Sequence, residues 1–157
     1  MPLVLDSTVI SNFVLIGHVD WLQQIWPGML VTSKDAMVEL QAGVRLGRIP
    51  EADWSWLTIL SLNEAESELC DELIPPLDRG EAACLALARY RDYPFLTDDR
   101  IARREARRLG VSLSGTIGAL VSLVKEGLVS LEQANEALQQ MIALGYHSPV
   151  QSLAELR

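Results

Sequence analysis

Apolar positions along the chain switch repeatedly between short unbroken runs and longer stretches that recur about every 3.6 residues, the pattern of strands alternating with helices. Leu3-Val4-Leu5 is the first run. The spacing predicts a helix from Thr8 through Ile16 and another from Val19 to Ile25, stopped by Pro27-Gly28. Met29-Leu30-Val31 reads as the next strand, after which Thr32 or Ser33 can cap a helix to about Gln41 with Met37 and Leu40 inward and Gly43 past its end. Trp56 to Leu62 alternates too little to separate a strand from an extended edge segment. Asn63 begins a short acidic helix that ends before Pro75-Pro76, and Gly80 to Ala88 is apolar almost all round, as in a buried helix. Pro94 to Leu96 is a strand, and Arg100 to Leu109 a helix that turns Ala102, Ala106 and Leu109 inward and stops at Gly110. Val111-Ser112-Leu113 closes the strands, and helices over Gly115 to Lys125 and Leu131 to Leu144 finish the chain. No repeat, linker or low-complexity segment interrupts this βαβα order, which predicts an α/β fold around a parallel sheet.

A chain of 157 residues fits one domain, expected to span 1–157, long enough to bury roughly two-thirds of its unfolded surface. Its 49% hydrophobic and 22% charged content is globular, and no apolar run approaches the roughly 20 residues needed to cross a bilayer. No basic stretch precedes the first apolar run, which Asp6 breaks, so a signal peptide is not expected. Cys70 and Cys84 have no second Cys or His at ligand spacing and read as small core residues in a reducing, cytoplasmic compartment.

The candidate chemistry lies in acids at the ends of elements. Asp6 follows a buried-type run and Asp98-Asp99 follow another, where open parallel sheets place their ligands. Taken alone, Asp6 is as readily an N-cap as a metal ligand, Glu39 is more readily a solvated helix residue, and Glu81 suits the first turn of a helix. Asp98 and Asp99 are different, because adjacent carboxylates repel unless a cation or an arginine shares them. A net charge of -8 excludes a general nucleic-acid coat. Yet five of the 13 basic residues, Arg100, Arg103, Arg104, Arg107 and Arg108, directly follow that acidic pair. This local stripe would suit a phosphate backbone beside an acidic pocket, or else be a solvated face with Glu105 pairing internally.

Other catalytic schemes fit less well. His18 and His147 have no setting that would activate a serine or cysteine nucleophile, zinc's usual His and Cys cluster is missing, and no phosphate-binding glycine motif occurs. Asp6-Ser7-Thr8 has threonine where an Asp-x-Asp phosphatase nucleophile motif needs its second acid. An all-oxygen site points to Mg²⁺ or Mn²⁺.

Together, Leu3-Val4-Leu5-Asp6-Ser7-Thr8-Val9-Ile10, Glu39 on its helix, Gly80-Glu81-Ala82, Leu96-Thr97-Asp98-Asp99-Arg100 and Gly115-Thr116-Ile117-Gly118 resemble a PIN domain over nearly the whole chain. The nearest type is the small prokaryotic VapC-like toxin class, in the branch carrying Thr-Asp-Asp and Gly-Thr-x-Gly. The resemblance implies a three-layer α/β/α sandwich around a short parallel sheet. It implies Asp6, Glu39, Glu81 and Asp99 as the catalytic quartet, with Asp6, Glu81, Asp98 and Asp99 toward the metal and Thr116 in support. The family's third acid is commonly aspartate, and Glu81 departs from that by one methylene. Mg²⁺- or Mn²⁺-dependent hydrolysis of RNA follows as the implied activity, with a cognate antitoxin as a possible partner; a catalytically silent PIN-like module acting through a protein partner is the alternative. Arg103, Arg104 and Arg107 are expected to face outward and guide RNA. The series Leu131, Ala134, Leu138, Met141 and Ile142, with the dimers that the resemblance implies, suggests a homodimer, unless that stripe packs on the sheet.

Overall fold

Leu5, Leu30 and Leu96 belong to one buried cluster, and Val4, Val31 and Phe95 to another. This is the alternation of a sheet covered on both faces. A computed structural model describes residues 1–156. Its strands β1 (Leu3–Leu5), β2 (Leu30–Ser33), β3 (Thr58–Leu60), β4 (Phe95–Leu96) and β5 (Leu113–Ser114) lie side by side in the order β3-β2-β1-β4-β5. Every pairing is parallel, with Val4 opposite both Val31 and Phe95.

Eight helices cover the sheet among the described residues. One face carries α1 (Ser7–Leu15), α2 (Val19–Ile25), α7 (Thr116–Lys125) and α8 (Leu131–Ala143). The other carries α4 (Glu64–Glu72), α5 (Arg79–Arg91) and α6 (Arg100–Arg108), while α3 (Lys34–Arg45) sends Met37 and Leu40 to the first cluster and Ala36 to the second. The architecture is the α/β sandwich expected from the alternating pattern. No helix among the described residues is long and apolar enough to cross a membrane.

Three expectations shift. Helix α3 runs through Gly43 to Arg45, because Gly43 is used for packing: an added Cβ would stand 3.3 Å from Ile49 Cγ1. The chain turns only at Gly47, whose φ of +70° suits glycine. The fifth strand is Leu113–Ser114, two residues later than the apolar run suggested, since pairing with Phe95 and Leu96 sets the register. Trp56 to Leu62 resolves as an edge strand at Thr58–Leu60. In α8, Ala134, Leu138 and Met141 are buried and Leu131 and Ile142 pack against the same cluster. The stripe offered for a homodimer therefore closes this chain's own core.

The start of α4 is tied to the end of α5 by an ion pair whose acid, Glu66, is buried. Arg91 Nε and Nη2 donate to Glu66 at 2.8 and 3.1 Å, and Nη2 also reaches Ser61 O at 3.2 Å. Burial pushes the Glu66 carboxyl up, but Arg91 and the Asn63 N–H outweigh it and hold it below the ordinary value. Arg91→Ala would leave a buried carboxylate unpaired, and we expect a loss of about 2–4 kcal/mol in urea unfolding at neutral pH. An unchanged midpoint would contradict this role.

Candidate active site

Strand order reverses between β1 and β4: β2 and β3 extend the sheet to one side of β1, β4 and β5 to the other. At such a switch point the segments leaving the carboxyl ends diverge and open a crevice. Asp6 leaves β1 there, and Thr97, Asp98 and Asp99 leave β4.

Asp6 is fully buried and serves as the N-cap of α1. Its Oδ1 accepts from Ser7 N at 2.8 Å, and its Oδ2 accepts from Thr97 Oγ1 at 2.7 Å and Thr8 Oγ1 at 3.1 Å. Burial raises the carboxyl to about 6 against the pull of these three donors, with the charge of Asp78 adding to the rise. Asp99 caps α6 through Oδ1, which accepts from Ala102 N at 2.8 Å. For Asp99 the two readings, cap and ligand, are compatible, since the cap uses only one carboxylate oxygen, whereas Asp6 Oδ2 already accepts from two hydroxyls.

Glu39 is half-buried, its Oε1 accepting from Gly80 N at 3.0 Å and its Oε2 from Ser7 Oγ at 3.4 Å. Burial lifts it to about 7, with the charges of Asp78 and Asp6 contributing. Gly80 is required by this approach, because a Cβ there would overlap the Glu39 carboxylate. Glu81 is 8% exposed and completes a capping box with Asp78, whose Oδ1 accepts from Glu81 N at 2.9 Å. Its Oε2 is the one buried side-chain oxygen or nitrogen without a partner among the described residues. Burial pushes Glu81 up to about 9, and the charges of Asp6, Asp78 and Asp99 push the same way.

Asp98 stands slightly apart. Its Oδ1 accepts from Thr116 N at 2.9 Å and its Oδ2 from Asn12 Nδ2 at 3.0 Å and from Thr116 Oγ1. It acts as a long-range cap for α7, whose own N-cap, Gly115, has no side chain to offer. Gly115 allows that approach, since a Cβ there would lie 2.6 Å from Asp98 Oδ1 and 2.9 Å from Thr97 O. Burial raises the Asp98 carboxyl despite the Thr116, Arg103 and Asn12 contacts that oppose the rise.

Asp6, Glu39, Glu81 and Asp99 lie near enough for the charge of Asp6 to act on Glu39 and those of Asp6 and Asp99 on Glu81, while Asp98 and Glu39 line separate clefts, and no three acidic, histidine or cysteine side chains stand grouped closely enough to hold a metal among the described residues. The sequence reading passed over three contributors. Asp78 adds a further carboxylate, whose charge acts on Asp6, Glu39 and Glu81, signalled by the Asp-x-x-Glu capping box. Thr97 joins Asp6 to the β4 side, and Asn12 braces Asp98, signalled by its i,i+4 relation to Thr8 on α1. Arg103 is a correction. It was expected to face outward, but its Nη1 donates to Thr97 O at 2.8 Å and Ser114 O at 3.0 Å, tying together the ends of β4 and β5. Thr97 O thereby gains a donor, and Ser114 O, which already accepts from Thr97 N at 3.0 Å, gains a second. Arg104 and Arg107 are exposed, and Arg108 pairs with Glu105 at 2.6 Å.

The family model described as PIN domain matches residues 2–157. The chain belongs to the PIN-domain family. PIN domains are generally nucleases, so this PIN domain falls in a class of hydrolases that generally use divalent metals. Neither the curated proteins nor the solved structures gave a significant match to it.

Proposed function

We propose that this PIN domain is a ribonuclease dependent on Mg²⁺ or Mn²⁺ and that it serves as the toxin of a toxin–antitoxin pair. The observation that carries the metal is the orphaned Glu81 Oε2, buried against a crowd of like charges with no hydrogen-bond donor to satisfy it. Such an oxygen is costly in a folded protein unless it keeps a proton or receives a cation. An all-carboxylate donor set suits a hard divalent ion, and Asp6, Glu81 and Asp99 would hold it, with Asp98 beside them. Bound there, the ion would supply positive charge against phosphate oxygens and make water more acidic for attack.

The chain's own groups set up that chemistry. Thr8 and Thr97 orient Asp6, Thr116 and Asn12 steady Asp98, and Glu39 can hold or release a proton near neutral pH. Purified protein incubated with mixed RNA should cleave it in Mg²⁺ or Mn²⁺, stop on chelation and resume on readdition. Cleavage that persists in chelator, or never occurs with either metal, would overturn the reading.

The toxin role is supported by the likeness of the Thr-Asp-Asp and Gly-Thr-x-Gly segments to VapC-like proteins. A small neighbouring reading frame encoding an inhibitor that binds this chain would strengthen it. A homodimer now rests on family likeness, since α8 is spent in the core. The separation of the carboxylates favours a second reading, a silent module acting through a partner. A Mn²⁺ titration discriminates: no uptake would favour the silent module.

A further inference from the structure

Next to the carboxylates lies a cleft of about 660 Å³ that the cleavage chemistry does not use. One wall is α6, where Arg100, Arg103 and Arg107 recur at i, i+3 and i+7 and so share a face. The segment after α8, from Tyr146 to Pro149, and Ile117 on the first turn of α7 also line it. Arg104 does not line the cleft.

The charge in the cleft is available. Arg103 gives Nη1 to two backbone carbonyls, but Arg100 and Arg107 are exposed and neither has an acidic partner among the described residues. His147 is also exposed. Asp98 borders the same space, yet both its oxygens already accept hydrogen bonds from Thr116 and Asn12. In a chain of net charge -8, a cavity with two free guanidinium groups is a local positive site. Its other surfaces differ in kind: the half-buried Tyr146 packs against the core, while Ile117 and Pro149 add apolar area.

Cations beside aromatic and apolar walls are the combination that suits a nucleotide, with anions for the arginines and a flat base for the rings. We propose that this cleft takes the nucleotide adjoining the cleaved phosphate of an RNA strand, Arg100 and Arg107 holding its phosphates while Tyr146, His147 and Ile117 contact its base. The inference rests on the ribonuclease reading above and adds a subsite built partly from the C-terminal segment. That segment is then a substrate-binding element as well as a cover for the core.

The test measures binding of a short labelled oligouridylate, and of an abasic oligomer of equal length, with Ca²⁺ in place of Mg²⁺ and over a series of salt concentrations. Arg107→Ala should weaken both oligomers and lower the log–log salt slope by about 0.7, the loss of one single-strand phosphate contact. His147→Ala should weaken oligouridylate by roughly 5-fold or more and leave the abasic oligomer unchanged. Both side chains are exposed, so neither change should disturb folding. Wild-type affinity and slope in both variants would overturn the subsite; if such variants still cleave RNA in Mg²⁺, the ribonuclease reading stands without it. Variants that bind as expected in a protein that never cleaves would remove the ribonuclease reading and keep the cleft as an RNA site.

Discussion

Asp99→Asn is expected to lower metal-dependent RNA cleavage by roughly 100-fold or more while leaving the protein folded. Asparagine caps a helix as well as aspartate does, so the contact from Ala102 N to the side-chain oxygen should survive and α6 should keep its start. What disappears is one negative charge in the crevice. Asp99→Ala removes the cap as well and should cost about 1 kcal/mol of stability in addition. Asp6 is a less clean probe, because its Oδ2 accepts from two hydroxyls and an amide nitrogen in that place would face donors. Cleavage rates for both Asp99 variants, with urea unfolding alongside, separate charge from cap. A wild-type rate in Asp99→Asn would mean that the crevice is not the catalytic centre.

The second large effect concerns pH. Without metal, Glu81 at about 9 and Glu39 at about 7 keep protons at neutral pH that a cation must displace. Affinity for Mn²⁺ should therefore rise from pH 6 toward pH 9, by up to about tenfold per unit for each proton released. Calorimetry in buffers of different ionisation enthalpy would count those protons, and pH-independent affinity with no proton release would refute the crowded-carboxyl account.

Stability without metal should move the other way. A carboxyl raised by folding binds its proton more tightly in the folded chain, so between the ordinary 4.5 and the raised value the folded form holds the extra proton and stability falls as pH increases. Metal should cancel that fall. Glu81→Gln keeps an oxygen for the capping box and removes the need to take up a proton on folding, and at pH 8 it should stabilise the metal-free protein by roughly 1–2 kcal/mol. If this variant is instead less stable at pH 8, the orphan oxygen is not under the strain inferred for it.

Much of the fold was legible because local and global signals agree. The run Leu3-Val4-Leu5 and the all-round apolar Gly80 to Ala88 point to burial, and Val4, Leu5 and the whole of Gly80 to Ala88 are buried, with Leu3 half-buried. The register of β5 was not legible, since only pairing with β4 selects Leu113–Ser114. Gly43 misled because a glycine that ends a helix and one that admits Ile49 look alike in a sequence. At the site, strand ends announced Asp6 and the Asp98-Asp99 pair. Arg103 was misplaced because the helical period specifies a face and leaves open whether a long side chain on it will curl back to satisfy carbonyls. Asp78 was overlooked as a member of the cluster because its capping role fully accounts for it within the local sequence.

The caps at the crevice carry a consequence for how such a protein could change over generations. Asp6, Asp78 and Asp99 each start a helix as well as facing the acids. A lineage released from selection for cleavage could shed the negative charges freely, yet would still need an acceptor at each helix start. Its relics should therefore carry Asn or Ser at these positions far more often than Ala or Val. Decay of an enzyme usually erases its centre first; here the backbone would preserve an outline of it long after the activity had gone.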